Sequence, residues 1–443
     1  MDSAGNLEPT RPDPQAEPSP LGAAFRGLCW LIAVAAGALV FGVQLRTSSN
    51  LCPNDNSRWD TVWSLVEKGT YIIDGCPWPT IDMVRRDGHD YSSKPPLLPT
   101  LAAGQYWLIK KLTKWTIHEQ TDLVCRTILF TWNVIPLIVL MGLTGQLVAR
   151  YTADPWWRAY WLIAAALGTY VTGYSITFND HSVGAWSAGF ALYGAIRVLY
   201  LNDRRWWVYL LTGVCAAFTV ANQLPSAFFA VVLFGWMVAR RWRGTLLFGL
   251  PGALLVIGAF LLTLKLSTGG FIPYYLFKQT DLYQYEGSYW SNPVGIDALD
   301  EAKPIYLFNL LLGHHGFFSL SPIFILMAVG LIFAFRDSRP EVQHLSWFAV
   351  AVFLFTVVLN TLTTNNYGGV CQGFRYLIWP VPLFIVSGSL TADAYGRPKW
   401  VRALAVVFLF ASIVSAASCL DNPWSESWAE QLCKQRDWLW ATY

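Results

Sequence analysis

The sequence predicts an all-α polytopic membrane protein, with about eleven transmembrane helices and further helices lying along the outer membrane surface. Three observations carry that prediction. Hydrophobic residues make up 54% of the 443-residue chain and charged residues only 13%, whereas soluble domains carry about 25% charge. A chain this apolar has too little polar surface to cover itself in water. Its apolar residues are gathered into runs close to the roughly 20 residues a helix needs to cross a bilayer. The 23 Trp and 20 Tyr suit long membrane–water interfaces, where their amphipathic rings sit at headgroup level. A soluble enzyme, a disordered chain and a collagen-like repeat are thereby excluded. Lys+Arg 31 against Asp+Glu 28 gives a net charge of +3, too balanced for a phosphate-backbone partner, so no nucleic acid is expected.

Residues 1–22 are rich in proline with little to bury, and read as a disordered cytoplasmic tail. Apolar runs then fall at 24–45, 127–149, 159–177, 183–201, 206–222, 225–239, 244–266, 317–335, 345–363, 376–391 and 401–420. A further run, 97–109, is short and enters Lys110, Lys111 and Lys114. The distribution of basic residues decides its placement. With 97–109 on the surface and the N-terminus inside, the cytoplasmic loops hold Arg150 and Arg158, Arg204 and Arg205, Arg240, Arg241 and Arg243, Arg336 and Arg339, and Arg397, Lys399 and Arg402. That obeys the positive-inside rule, and a spanning 97–109 would turn every one of those loops outward. Residues 97–113 are therefore expected to lie along the outer face, as interfacial helices do. The same layout leaves two large outer loops, 46–126 and 267–316, and an extracytoplasmic tail over 421–443. Cys52 and Cys76 share the first outer loop, in a compartment that permits disulfides, and are the better pair for one.

Chemistry concentrates in the outer segments. Residues 54–68 place Trp59, Val62, Trp63 and Val66 at helical spacing, so an amphipathic helix is expected there, with Asp55, Asn56 or Ser57 capping its start. Lys94 directly precedes Pro95 and Pro96, which fix the backbone at the start of the surface segment. Asp180 and His181 occupy an outer turn close to hydrocarbon, where ionisable groups are costly. His314 and His315 form an adjacent pair before another span; metal binding, polar substrate contact and structural hydrogen bonding all remain open for them. Arg375 is the one cation of the 364–375 turn, which also holds Tyr367. Each feature has a bland reading, as a cap, a snorkelling side chain or a rigid turn. Together they describe one outer cavity lined by carboxylates, cations and aromatic rings. Cations at the membrane face suit a phosphate whose tail stays in the bilayer, and aromatic faces with carboxylates suit a sugar.

On these residues the chain resembles the GT-C superfamily of polyprenyl-phosphate-sugar glycosyltransferases. Within it, the chain is most similar to the family 39 branch, with the protein O-mannosyltransferases and the lipid A aminoarabinose transferase. The family's Asp-Glu-x-Arg-Tyr followed by an amphipathic helix ending in Gly is matched by Asp55-Asn56-Ser57-Arg58-Trp59 through Gly69. Its Lys-Pro-Pro-Leu is intact at Lys94–Leu97, its second outer acid matches Asp180, and a late Arg-Tyr-x-x-x-Pro-x-Pro matches Arg375, Tyr376, Pro380 and Pro382. The sequence departs from the pattern at Asn56 and Ser93, where the family carries acids.

The resemblance implies a GT-C-like transmembrane domain over 23–420 in a multi-pass protein of the bacterial plasma membrane, with an extracytoplasmic site. A polyprenyl-phosphate sugar would be the donor, and a lipid, glycan or protein hydroxyl the acceptor. Asp55 and Asp180 would be catalytic, with Arg58, Lys94 and Arg375 on the donor phosphate. Asp60, His181, His314, His315 and Tyr367 are further candidate substrate contacts, with Asp60 a candidate substitute for a missing carboxylate. No cofactor is firmly implied, and a divalent metal remains open. The alternative class is a transporter or flippase of polyprenyl-linked lipids, which would use the same cations and aromatics but needs no base.

Overall fold

The computed structural model describes residues 20–49, 51–276, 281–436 and 438. The expected disordered tail lies outside the described residues over 1–19, as do 437 and 439–443 of the expected C-terminal tail. Among the described residues the chain is mainly helical, with almost no strand. The strands Met83–Arg86 and His89–Ser92 form the one sheet among the described residues, an antiparallel hairpin with Val84 opposite Tyr91. Its two-residue turn, Asp87 and Gly88, has φ of 55° and 80°, the left-handed pair that matches the twist of a tight hairpin.

Among the described residues five helices are long and apolar enough to cross a membrane: Gly22–Gln44, Thr121–Tyr151, Leu224–Thr268, Pro340–Thr363 and Lys399–Ser418. Much of their apolar surface faces outward. Leu254, Leu255, Leu362 and Phe410 are among the exposed side chains, an arrangement that only a lipid surround makes favourable. The 45-residue helical stretch Leu224–Thr268 is a hairpin, not a rod. Arg241 leaves helical geometry at φ −146° and ψ 46°. A Cβ placed on Gly249 would lie 3.5 Å from the Phe234 ring, a neighbour about 22 Å away in a straight helix. The expected runs 225–239 and 244–266 are the two arms of this hairpin.

Helix length and composition do not yield the expected eleven spans. The run 159–177 divides at Gly168 into Pro155–Leu167 and Tyr170–Tyr174. The runs 317–335 and 376–391 keep only Ile323–Ala334 and Val381–Ser389 as helices of more than one or two turns, starting after Pro322 and Pro380. Hydropathy registers the apolar run but not the proline or glycine that breaks it. The segment Leu97–Thr113 is a helix as expected, burying Leu98, Ala102 and Tyr106 and leaving Trp107 and Leu112 exposed. The cysteine expectation fails: Cys52 and Cys76 are both free thiols.

Where helices cross most closely, glycine sets the distance. A Cβ on Gly213 would come within 2.0 Å of the Gly249 carbonyl oxygen, so the Trp206–Asn222 helix lies backbone to backbone against the second arm of the hairpin. By contrast, a Cβ on Gly258 meets nothing within 4 Å. Gly213→Ala should therefore lower the unfolding midpoint of the detergent-solubilised protein, at a cost of about 1–3 kcal/mol for overpacking. Gly258→Ala should leave it unchanged or raise it, because alanine is the better helix former.

Candidate active site

The first outer loop supplies the foundation. The helix Pro53–Glu67 starts from an extended Cys52 with Pro53 in its first turn, and no side chain caps it. Asp55, Asn56 and Ser57, the expected caps, lie inside the helix and are buried. Trp59 anchors the helix. Its indole N–H donates to the Ser49 carbonyl at 2.9 Å, and its ring stacks on Phe178 with centroids 4.3 Å apart. That stack brings the helix against the irregular turn before Asp180. The turn's carbonyls are satisfied by amides from two membrane helices: Gln44 donates to Ser175 O at 3.0 Å, and Asn133 to Ser175 O and Thr177 O at 2.8 and 2.7 Å. Non-helical backbone near the membrane persists only where such partners exist.

Asn179, not Asp180, caps the helix Asp180–Tyr200, accepting from the backbone N–H of His181 and Ser182 at 2.9 Å each. The Asp180 carboxylate is thereby left for Arg58, whose guanidinium reaches it at 2.7 Å. Arg58 is 1% exposed and also donates to Asn54 O at 3.0 Å and to the Asn54 side chain. It is therefore held by the protein itself.

Asp55 lies one turn before Arg58 and is fully buried. One carboxylate oxygen accepts from the Trp424 indole N–H at 3.1 Å, and the other, also buried, has no hydrogen-bond partner among the described residues. Burial pushes the Asp55 carboxyl up to about 8, although Arg58, Trp424 and Lys94 all favour its charge. Lys94 pairs with Asp82 at 2.8 Å. Burial pulls the Lys94 ammonium below its usual range, Asp82 opposes this, and the positive charges of Arg58 and Arg375 add to the lowering. Arg375 lies over the rings of Tyr376 and Trp424, 5.2 and 5.6 Å from their centroids. Gly368, at φ +97°, makes room for it, since a Cβ there would sit 2.5 Å from Arg375 Nε. Among the described residues Arg375 makes no ion pair, and its buried Nε has no hydrogen-bond partner.

The structure thus brings Asp55, Arg58, Lys94, Asp180 and Arg375 into one charged cluster. His181 joins it, with Nε2 at 3.9 Å from Asp180, Nδ1 at 3.2 Å from the Gln223 amide, and its ring edge-on to Tyr376. Other candidates lie apart. Asp60 faces the loop beyond its helix, accepting from Trp78 N–H at 3.3 Å, and burial pushes its carboxyl up to about 7. His314 and His315 bond each other through Nδ1 at 2.6 Å, and burial holds both below the usual histidine range. Tyr367 stacks on His315 and Tyr306, and its hydroxyl goes to Glu301. Sequence reasoning missed Asp82 and Trp424. Asp82 has no helical periodicity around it, and Trp424 is one tryptophan among 23. It also missed Tyr275 of the second outer loop, whose buried hydroxyl lies in the field of Asp180.

A divalent ion at this cluster is disfavoured by the donor set. Asp180 is committed to Arg58, Asp82 to Lys94, and Asn56 stands where the second acid was expected. A hard or borderline dication needs carboxylates not already neutralised by cations.

No protein-family model and no curated protein sequence matches the chain. Solved structures do. The oligosaccharyltransferase of Archaeoglobus fulgidus in complex with Zn and sulfate superimposes with a TM-score of 0.50 at 15% identity, covering 92% of this chain and 55% of that one. Its apo form gives 0.46 at 14% identity, covering 93% and 57%. The archaeal enzyme with an inhibitory peptide and a dolichol-phosphate gives 0.48 at 12% identity, again covering 93% and 57%. The chain spans a little over half the length of these neighbours. At such identities the likeness is one of fold alone, and the chain shares the oligosaccharyltransferase membrane fold, in keeping with the GT-C architecture expected from its sequence.

Proposed function

We propose that this chain is an inverting membrane glycosyltransferase of the GT-C type, nearest the family 39 branch. It takes a sugar from a polyprenyl phosphate and places it on an acceptor hydroxyl of a lipid, glycan or protein. The observation that carries this reading is the buried Asp55 beside three cations, of which Arg375 has no carboxylate partner among the described residues. In the reaction, the ionised Asp55 takes the acceptor's hydroxyl proton as that oxygen attacks the anomeric carbon. The bond from that carbon to the phosphate oxygen breaks, and the polyprenyl phosphate leaves with the extra negative charge. Arg375 and Lys94 stabilise that charge, while Arg58 acts from behind by holding Asp180. The aromatic wall of Tyr376 and Trp424 suits a sugar face. The reading also keeps eleven spans over a domain at 23–420, with the outer loops 46–126 and 267–316 and the active site on the extracytoplasmic face.

Transfer and donor binding measured side by side, with synthetic polyprenyl-phosphate sugars, test the roles. Asp55→Asn should lower turnover by about 10²–10⁴, the usual contribution of a positioned base, with donor affinity little changed. Lys94→Ala and Arg375→Ala should weaken donor binding as well as turnover, because both charges face the phosphate before and during bond breaking. Normal sugar release by all three variants would remove the base from the mechanism. A wild-type protein that binds these donors without releasing sugar would point to a flippase.

The pH dependence follows from burial. A base works only when deprotonated, and Asp55 ionises near pH 8 in the folded protein. Below that value kcat/KM should fall about tenfold per pH unit. Trp424→Phe removes a hydrogen bond that favours the charged carboxylate, so it should move this limb to higher pH. Reporter fusions after Arg205 and after Arg243 should both report cytoplasm, and a signal from the opposite side at both would invert the topology.

A further inference from the structure

We propose that His314, His315 and Glu430 bind a single zinc-type dication, which clamps the helix Trp428–Gln435 onto the turn before Phe317. This inference does not depend on the transferase reading. The three side chains come from two separate segments, all are buried, and their ligand atoms lie within 4.8 Å of one another. His315 Nε2 and Glu430 Oε2 face each other at 3.8 Å. That is too long for a hydrogen bond, and each atom is buried with no hydrogen-bond partner among the described residues. Two polar atoms so placed cost free energy unless something bridges them. Bonds of about 2.0–2.2 Å at tetrahedral angles separate ligand atoms by roughly 3.3–3.6 Å, so His315 and Glu430 need only a small shift to close on an ion, and His314 follows by turning its ring.

The surroundings hold the ligands in place. Tyr367 stacks on the His315 ring at 4.7 Å with planes 12° apart. Ser427 starts the helix that carries Glu430, accepting from Glu430 N–H at 3.1 Å and donating to His314 O at 2.7 Å. Lys434 lies 3.3 Å from the other oxygen of Glu430 and 2.7 Å from Glu426, so it leaves Oε2 turned to the histidines. Imidazole with carboxylate is a ligand set zinc accepts. His314 also forms part of the wall of a cavity of about 590 Å³ that meets Glu301 and Asn309. Binding here would fix the segment that carries Trp424 to Asp55.

The test uses the full chain in detergent, stripped with chelator, reloaded with Zn²⁺ alone and assayed for bound metal by mass spectrometry. The wild type should retain about one zinc per chain. His315→Gln and Glu430→Gln should each weaken retention at least tenfold, while Asp180→Asn keeps it. Wild-type protein that holds less than a tenth of an equivalent overturns the proposal. So does zinc that persists in both site variants, or that disappears with Asp180→Asn instead. If a site variant does not fold, X-ray absorption of Co²⁺-loaded wild type decides. Imidazole and carboxylate ligation upholds the site, and an all-oxygen shell overturns it.

Discussion

The structure around the site depends on one buried ion pair, Arg58 with Asp180. An ion taken out of water costs several kcal/mol unless a partner and further hydrogen bonds replace its hydration. Arg58 finds both, in Asp180 and in the carbonyl and side chain of Asn54. The pair joins residues 122 positions apart and therefore sets where the first outer loop meets the membrane helices. The remaining contacts of that meeting serve this constraint. Trp59 on Phe178 supplies apolar area, Asn179 takes over the capping role so that Asp180 stays available, and Gln44 and Asn133 satisfy the turn's carbonyls.

Charge is distributed unevenly across the cluster. Arg58 and Lys94 each have a carboxylate, which offsets part of their fields within the protein. Arg375 has aromatic faces instead, which hold a guanidinium while consuming little of its charge. Asp55 has an indole N–H rather than a cation in direct contact, and burial outweighs the attraction of the nearby charges. The same pocket thus keeps one anion partly neutral and one cation without a carboxylate partner among the described residues. That separation of roles is what acid–base chemistry beside a charged leaving group requires.

Much of this was legible in the residues. Composition alone established the membrane class, and the Trp59, Val62, Trp63, Val66 spacing located the first-loop helix. The Lys94-Pro95-Pro96 and Asp180-His181 signals picked side chains that do converge. What escaped has physical reasons. Asp55 looked like a cap because an acid near a helix start usually is one, but Cys52 and Pro53 occupy the first positions and move Asp55 inward. Asp60 shares a helix with Asp55 and Arg58, yet it points away from them, toward Trp78. Asp82 and Trp424 act only through tertiary contact, and nothing local marks them. The division of 159–177 at Gly168 was invisible to hydropathy, which averages over breaks.

The indole contact to Asp55 spans 369 residues of chain. A ribosome adding about 5–20 residues per second needs roughly 20–70 s to cover that distance. Throughout that interval Asp55 exists without its indole partner, while Arg58 waits through a shorter gap for Asp180. During biogenesis Arg58 must keep its hydration until Asp180 arrives, because an unpaired guanidinium is costly in a dry interior, whereas a carboxyl such as Asp55 can enter one protonated. The indole contact that completes the Asp55 pocket is therefore among the last that the growing chain can make.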